Sequence, residues 1–255
     1  MKKVKTSNLA LLVIFVTIFN YSSAQHNIFL GVKGGISIPN LKSSGDNPVS
    51  NGWSSRQGPY FGIVGELILD NHWSLQSELN YSSQGGKKNG LQAIPGAEFA
   101  AYFPPGQTPP PYLYASYKSE AKLNYIELPI LAKLNLPINN SFSFFINGGI
   151  YAGYLVSARN LTSGTSNIYL DDKLTMPLLP VALSFDAETD IKDEIKKFNF
   201  GIQGGVGFSY SVNSTNKLQI TGGGNYGLVH IQKDETNGKN NTGAATITLS
   251  YLIKI

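Results

Sequence analysis

The side chains best suited to chemistry are three glutamates and two lysines set among apolar and small residues: Glu66, Glu78, Glu127, Lys33 and Lys133, with Gln203 and Asn225 in comparable settings. Paired carboxylates support acid and base catalysis where their separation and pKa values are tuned. Glu127 and Lys133 share the stretch N-Y-I-E-L-P-I-L-A-K-L-N-L-P-I at 124–138, but six residues of extended chain span roughly 20 Å at about 3.3 Å per residue. Neither can neutralise the other, so each needs a partner from elsewhere in the fold.

Other reactive constellations are weaker. The histidines are His26, His72 and His230, and His230 near Asp234, with Ser and Thr plentiful, forms no distinctive nucleophile, base and orienting group. The acids Asp186, Glu188, Asp190, Asp193 and Glu194 alternate as in a calcium loop, but Ile191 sits where such a loop requires its turn glycine. Glycine pairs at 34–35, 148–149, 204–207 and 222–224 are not followed by a helix pattern, so they do not read as phosphate loops. They fit strand bending and aromatic packing better. No catalytic, cofactor-binding or metal-ligating residue is assigned, and the chain is expected to be non-enzymatic and to need no cofactor.

The elements that must position the charged residues are strands. Ala245, Ile247, Leu249, Tyr251, Ile253 and Ile255 alternate with Ala244, Thr246, Thr248, Ser250, Leu252 and Lys254, giving two faces of different polarity. Residues 73–82 and 198–212 repeat the pattern, and 28–38, 59–69, 122–136, 141–155 and 217–229 complete eight candidate strands with 243–255. At about 11 to 15 residues they exceed the usual five or six of soluble strands and meet the 9 to 11 tilted residues that cross a bilayer. The connections alternate: 39–58, 83–121 and 156–197 are long, D-N-H at 70–72, P-I-N-N at 137–140 and N-S-T-N at 213–216 are tight, and 230–242 is intermediate. That alternation predicts an all-β, eight-stranded antiparallel up-and-down transmembrane barrel with its termini on one side and no free edge.

With the aliphatic and aromatic faces outward, Lys33, Glu66, Glu78, Glu127, Lys133, Gln203 and Asn225 point into the lumen. An eight-stranded barrel is just wide enough to be filled by side chains, and buried charges must be paired or hydrated. The expectation is therefore an internal polar network of three Glu and at least two Lys. A filled lumen gives a substrate no access. Trp73, Tyr81, Tyr154, Phe198, Tyr210 and Tyr226 fall near strand ends, where amphipathic rings favour the membrane interface. Pro129 removes a ladder donor from a strand that should be paired on both sides, which predicts a bulge or local break. Among the loops, P-P-G-Q-T-P-P-P-Y at 104–112 favours polyproline geometry, and D-A-E-T-D-I-K-D-E-I-K-K at 186–197 is expected as a short helix or a solvated rim segment.

The N-terminus reads M-K-K-V-K, an apolar run from Leu9 to Phe19, then Y-S-S-A-Q. This order predicts a secretory signal peptide over 1–24, cleaved after Ala24, with one barrel domain over 25–255. The apolar run is about half the roughly 20 residues a spanning helix needs, and no Cys follows it for a lipoprotein anchor. Loss of Lys2, Lys3 and Lys5 would leave 17 basic against 16 acidic residues, so the basic character belongs largely to the leader. Nucleic-acid binding has no basic patch to rest on. The chain has no Cys, so its stability cannot come from disulfides or thiolate metal sites.

Y-I-E-L-P-I-L-A-K at 125–133, F-F-I-N-G-G-I-Y-A-G-Y at 144–154 and K-K-F-N-F-G-I-Q-G-G-V-G at 196–207, with G-V-K-G-G at 31–35, resemble the PorT-like outer-membrane β-barrel family. The resemblance covers essentially the whole mature chain and implies a small outer-membrane barrel of about eight strands. A founding member of that family is tied to assembling a secretion apparatus, but most members have no assigned activity, so fold and location carry over and the secretion role does not. The chain ends Y-L-I-K-I, departing from the terminal aromatic residue of many such barrels. The expected role is a monomeric surface or structural protein in contact with outer-membrane lipid, whose loops bind an envelope or extracellular protein. A secretion assembly factor and a narrow pore are the alternatives, followed by an outer-membrane lipid enzyme.

Overall fold

A computed structural model describes residues 28–236 and 238–255; the expected signal peptide and His26 lie outside them. Among the described residues eleven strands follow one another: β1 (Ile28–Ser43), β2 (Gly58–Ile68), β3 (Trp73–Pro95), β4 (Tyr112–Pro137), β5 (Phe142–Ser163), β6 (Thr165–Ser166), β7 (Leu183–Ser184), β8 (Ala187–Asp190), β9 (Phe198–Ser211), β10 (Asn216–Gly227) and β11 (Asn240–Lys254). A 3-10 helix, Gly96–Tyr102, lies between β3 and β4. The sheet runs β4-β3-β2-β1-β11-β10-β9-β5, and β4 pairs with β5 to close it into an eight-stranded antiparallel ring. β1 meets β11 over 15 residue pairs, from Phe29↔Lys254 to Ser43↔Asn240, so closure leaves no barrel edge unpaired.

The alternation of β4 shows how sequence positions the wall. Ile126, Leu128 and Ile130 are 36 to 47% exposed on the outer face, while Tyr125, Glu127, Leu131 and Lys133 are completely buried on the inner one. Leu30, Val32, Phe61, Ile63, Leu75, Leu79, Ile146, Ile150, Phe200, Ile202, Ile247 and Leu249 continue the exposed apolar surface around the ring. Aromatic rings border it. Trp73, Phe142, Tyr210 and Tyr251 lie toward the tight turns, and Phe61, Tyr81, Tyr154, Phe198 and Tyr226 toward the long loops, with Phe61 stacked on Tyr81 at 5.0 Å and Phe142 against Tyr210 at 4.7 Å. Such a girdled apolar band is what a lipid-facing barrel presents.

Above this band the polarity turns inside out. Outward positions of β4 become Lys118, Glu120, Lys122 and Asn124, and inward ones become Leu113, Ala115, Ala121 and Leu123, all four buried. The reversal falls beside a β-bulge: Asn124 pairs with Ser157 but Tyr125 with Leu155, leaving Val156 as the extra residue of β5. The extra residue lets both Leu155 and Ala158 point inward. Two apolar clusters form above the lumen. One joins Leu41, Leu123, Tyr125, Leu155, Ile195 and Ile231; the other is built on Ile94, Leu113, Ala115 and Ile168 with Phe99, Phe103 and Phe185 around it.

Several expectations change. β3, β4 and β5 reach 23, 26 and 22 residues, so much of the anticipated long loops is continuous sheet projecting beyond the apolar band. The run at 186–197 contains no helix: residues 187–190 form β8 on the edge of β5, through pairs such as Arg159↔Asp190, and a turn follows. Pro129 causes a break without a bulge. Bridges exist at Ser77↔Ile130 and at Asn80↔Glu127 but not for the two pairs between them, although two residues separate the bridges on both strands and the register is unchanged. Toward β5 the ladder passes Pro129 through its pairing with Tyr151.

Candidate functional site

The lumen at the level of the apolar band holds three carboxylates, each with different neighbours. Glu66, near the end of β2, accepts from Lys217 Nζ at 2.7 Å, Gln219 Nε2 at 3.2 Å and Ser74 Oγ at 3.0 Å. Lys133 Nζ lies 3.2 Å from its Oε1, out of line for a hydrogen bond, and 4.1 Å from the centroid of the Phe145 ring. One carboxylate is thus shared by two cations from strands on other sides of the barrel. Glu78 takes both oxygens' worth of bonding from Lys33 Nζ, at 2.9 and 2.8 Å, and is flanked by Gln76 Nε2 and by Asn80 Nδ2 at 2.6 Å. Asn80 also donates to Tyr60 Oη at 2.7 Å.

Glu127 differs from both. It is completely buried, yet no cation lies within ion-pair distance among the described residues, and its oxygens accept from the amides of Gln84 and Asn225, both at 3.3 Å. Gln84 Nε2 is also 3.3 Å from Asn225 Oδ1, tying the three into one group. Gln203 is half-buried on β9 and lines the lumen with its Oε1 unpaired.

Lys33, Glu66, Glu78, Glu127, Lys133 and Asn225 therefore gather in the lumen, but as three clusters rather than one. Lys217 is a member that the sequence reading omitted, as are Gln76, Asn80, Gln84 and Gln219. Lys217 and Asn225 are eight residues apart on β10, an even number that puts them on one face, so periodicity alone would have found it. Room for the inward aromatics comes from glycine. A methyl group at Gly207 would lie 2.5 Å from the Phe145 ring, and one at Gly201 would lie 2.6 Å from that of Tyr151.

The upper mouth is covered. Arg56, from the connection between β1 and β2, donates from Nε to Glu120 Oε1 at 2.8 Å and from one terminal nitrogen to Ser83 Oγ at 2.9 Å and the Gln84 carbonyl at 3.1 Å. Those bonds tie the connection to β3 and β4, and the apolar cluster around Leu123 and Tyr125 sits over the polar lumen. Charges that must leave water are costly unless paired, and the pairing of Glu66 and Glu78 fixes β1, β2, β3, β4 and β10 relative to one another. This arrangement can hold a barrel closed and locked in register.

The other reactive residues have local partners. His230 Nδ1 contacts Asn241 Oδ1 at 3.0 Å, not Asp234, which accepts from Thr236. In the acidic run, Glu188 pairs with Arg159, Asp186 accepts from the Gly164 amide and Asp190 from the Lys192 amide. Among the described residues no three His, Cys, Asp or Glu side chains gather as metal ligands, and no helix is long and apolar enough to cross a membrane.

The family model described as "Outer membrane protein beta-barrel domain" matches residues 21–233. No curated protein matches the chain. Among solved structures it is similar to Ail, the attachment invasion locus protein of Yersinia pestis, at 10% identity over 88% of this chain and 98% of that one, with a TM-score of 0.38. Neisserial surface protein A (NspA) matches at 12% identity over 89% and 97%, with a TM-score of 0.41. The outer membrane protease OmpT from Escherichia coli matches at 9% identity over 92% and 99%, with a TM-score of 0.35.

Proposed function

The chain belongs to the outer membrane protein β-barrel domain family, and from that premise we propose that it is a non-enzymatic, monomeric barrel of the Gram-negative outer membrane that binds an envelope or extracellular protein through its projecting strands and loops. The observation that carries this reading is the division of the molecule into a locked base and an ordered extension. The base has a lumen closed by ion pairs and an apolar cap, and the extension of β3, β4 and β5 has an apolar core of its own. A pore needs a continuous watery path, and Lys33, Glu66, Glu78, Lys133 and Lys217, which would line one, are instead engaged with one another. Grouping the chain with PorT-like barrels rests on the motifs at 125–133, 144–154 and 196–207, and export on the leader at 1–24, outside the described residues.

Crosslinking of intact cells followed by purification of the barrel tests the partner: a single envelope or extracellular protein should be captured by the full chain and lost when residues 96–111 are replaced by a short turn. A stable open channel in planar bilayers would instead establish a conducting lumen and remove this reading.

A further inference from the structure

Above the polarity reversal, the extension holds a half-open cavity of about 330 Å³, within the range of about 300 to 1,000 Å³ common for small-molecule sites. Its walls include Leu41, Leu123, Ile195 and Ile231 from the apolar cluster over the lumen. Three charged groups also line it: Lys88, Glu98 and Glu194. Lys88 is 92% buried by residue area, being 8% exposed. Its ammonium donates to the Val49 carbonyl at 2.6 Å and lies 4.6 Å from the centroid of the Trp53 ring. Among the described residues it has no carboxylate within ion-pair distance, and neither Glu98 nor Glu194 has a cation. The indole Nε1 of Trp53, also in the wall, is buried with no acceptor.

A buried ammonium with donors to spare and a neighbouring unpaired indole N–H call for an anionic acceptor. A lone anion does not satisfy the rest of the cavity, because Glu98 and Glu194 both line its exposed rim, and both would repel it. They call for a cation. The apolar wall calls for a hydrocarbon body between the two.

We propose that this cavity binds a small zwitterion with apolar side chains, the class of short apolar peptides, with its carboxylate at Lys88 and Trp53 Nε1, its ammonium at Glu98 and Glu194, and its side chains on Leu41, Leu123, Ile195 and Ile231. The site stands on the extension's geometry and does not depend on the protein partner proposed above. Capture of that partner and filling of this cavity can therefore fail separately.

The chain carries two tryptophans, and Trp73 is on the outer face, so Trp73→Phe leaves Trp53 as the sole indole reporter. In that protein, refolded in detergent, leucyl-leucine should shift the emission saturably. N-acetylation and C-amidation of the dipeptide should each weaken binding by at least about tenfold, the scale of one lost charged hydrogen bond. Lys88→Met, checked for native gel migration, should abolish the response. Glu98→Gln with Glu194→Gln should remove the discrimination against the acetylated form. Absence of a saturable shift would overturn the proposal, as would an acetylated or amidated dipeptide that binds as tightly as the free one. The ligand comparison needs only the Trp73→Phe protein, so it decides the matter even where the Lys88 variant does not fold.

Discussion

Glu66 and Glu127 occupy one lumen under opposite conditions, and that contrast can be measured. Glu66 balances Lys133 and Lys217, so Glu66→Gln leaves two buried ammonium groups without their counter-charge and should cost about 3 to 5 kcal/mol, as for a broken buried pair. Glu127 meets amide donors at 3.3 Å and no cation, so Glu127→Gln breaks no ion pair and should change stability by less than about 1 kcal/mol in either direction. Urea titration of the heat-modifiable gel species, in the same lipid, compares the two. In the extension, burial pushes Lys88 down from the ordinary lysine value to about 8. The unfolded extension therefore binds more protons than the folded one between pH 8 and the ordinary lysine range. The burial penalty is fully present below pH 8 and is relieved as pH rises through that window, so resistance of the extension to protease should increase there, and Lys88→Met should flatten the dependence. Period 2 made Lys33, Glu66, Glu78, Glu127, Lys133 and Asn225 legible as inward residues. It could not say which would meet, because a partner such as Lys217 lies 151 positions from Glu66 and is set by barrel closure.

At the scale of elements, the strands were legible where lipid makes the two faces differ and illegible where it does not. K-K-N-G-L-Q at 87–92 and Y-K-S-E-A-K at 117–122 belong to β3 and β4, but charged residues fall on both faces, Lys87 and Lys118 outside and Lys88 inside, and Leu91 lies outside, so alternation gives little contrast. Their pairing, from Gln84↔Leu123 to Pro95↔Tyr112, is supported instead by an apolar core assembled from segments distant in sequence, with Leu113 and Ile168 completely buried. Leu113→Ala should open a cavity in that core and cost about 2 to 5 kcal/mol of its stability. The base of the barrel shares no part of this core, so the damage should stay local. Limited proteolysis should cut faster within 96–117, while the remaining strands stay protected in the membrane and the heat-modifiable shift persists. Loss of the shift would show that the extension and the base fold as one cooperative unit. Pro129 makes the complementary point. Its missing donor was readable from sequence, but whether the strand would bulge or merely skip two bridges depended on Ser77 and Asn80 holding the register on either side.

For the whole molecule, the reversal of polarity along β4 fixes where the membrane must end. Below Tyr125 the chain is apolar outside and charged inside; above it, charged outside and apolar inside. Only two solvents on the outer surface, lipid below and water above, make both halves favourable, since apolar area is driven out of water and uncompensated charge out of hydrocarbon. Exposure by itself does not distinguish the two zones, because Ile130 at 47% and Leu91 at 50% are equally uncovered. Their positions on the wall do: Ile130 pairs with Ser77 and Ile150 within the apolar band, whereas Leu91 pairs with Ser116 in the extension. A lysine in place of Ile130 should therefore cost about 2 to 4 kcal/mol and slow insertion, while a lysine in place of Leu91 should cost about 0 to 1 kcal/mol, following the depth dependence of charge on a lipid-facing barrel. Both variants would be refolded into the same vesicles and titrated with denaturant. Equal costs would mean that the band does not face lipid, and the inverted lower half of the barrel would then have no solvent that explains it.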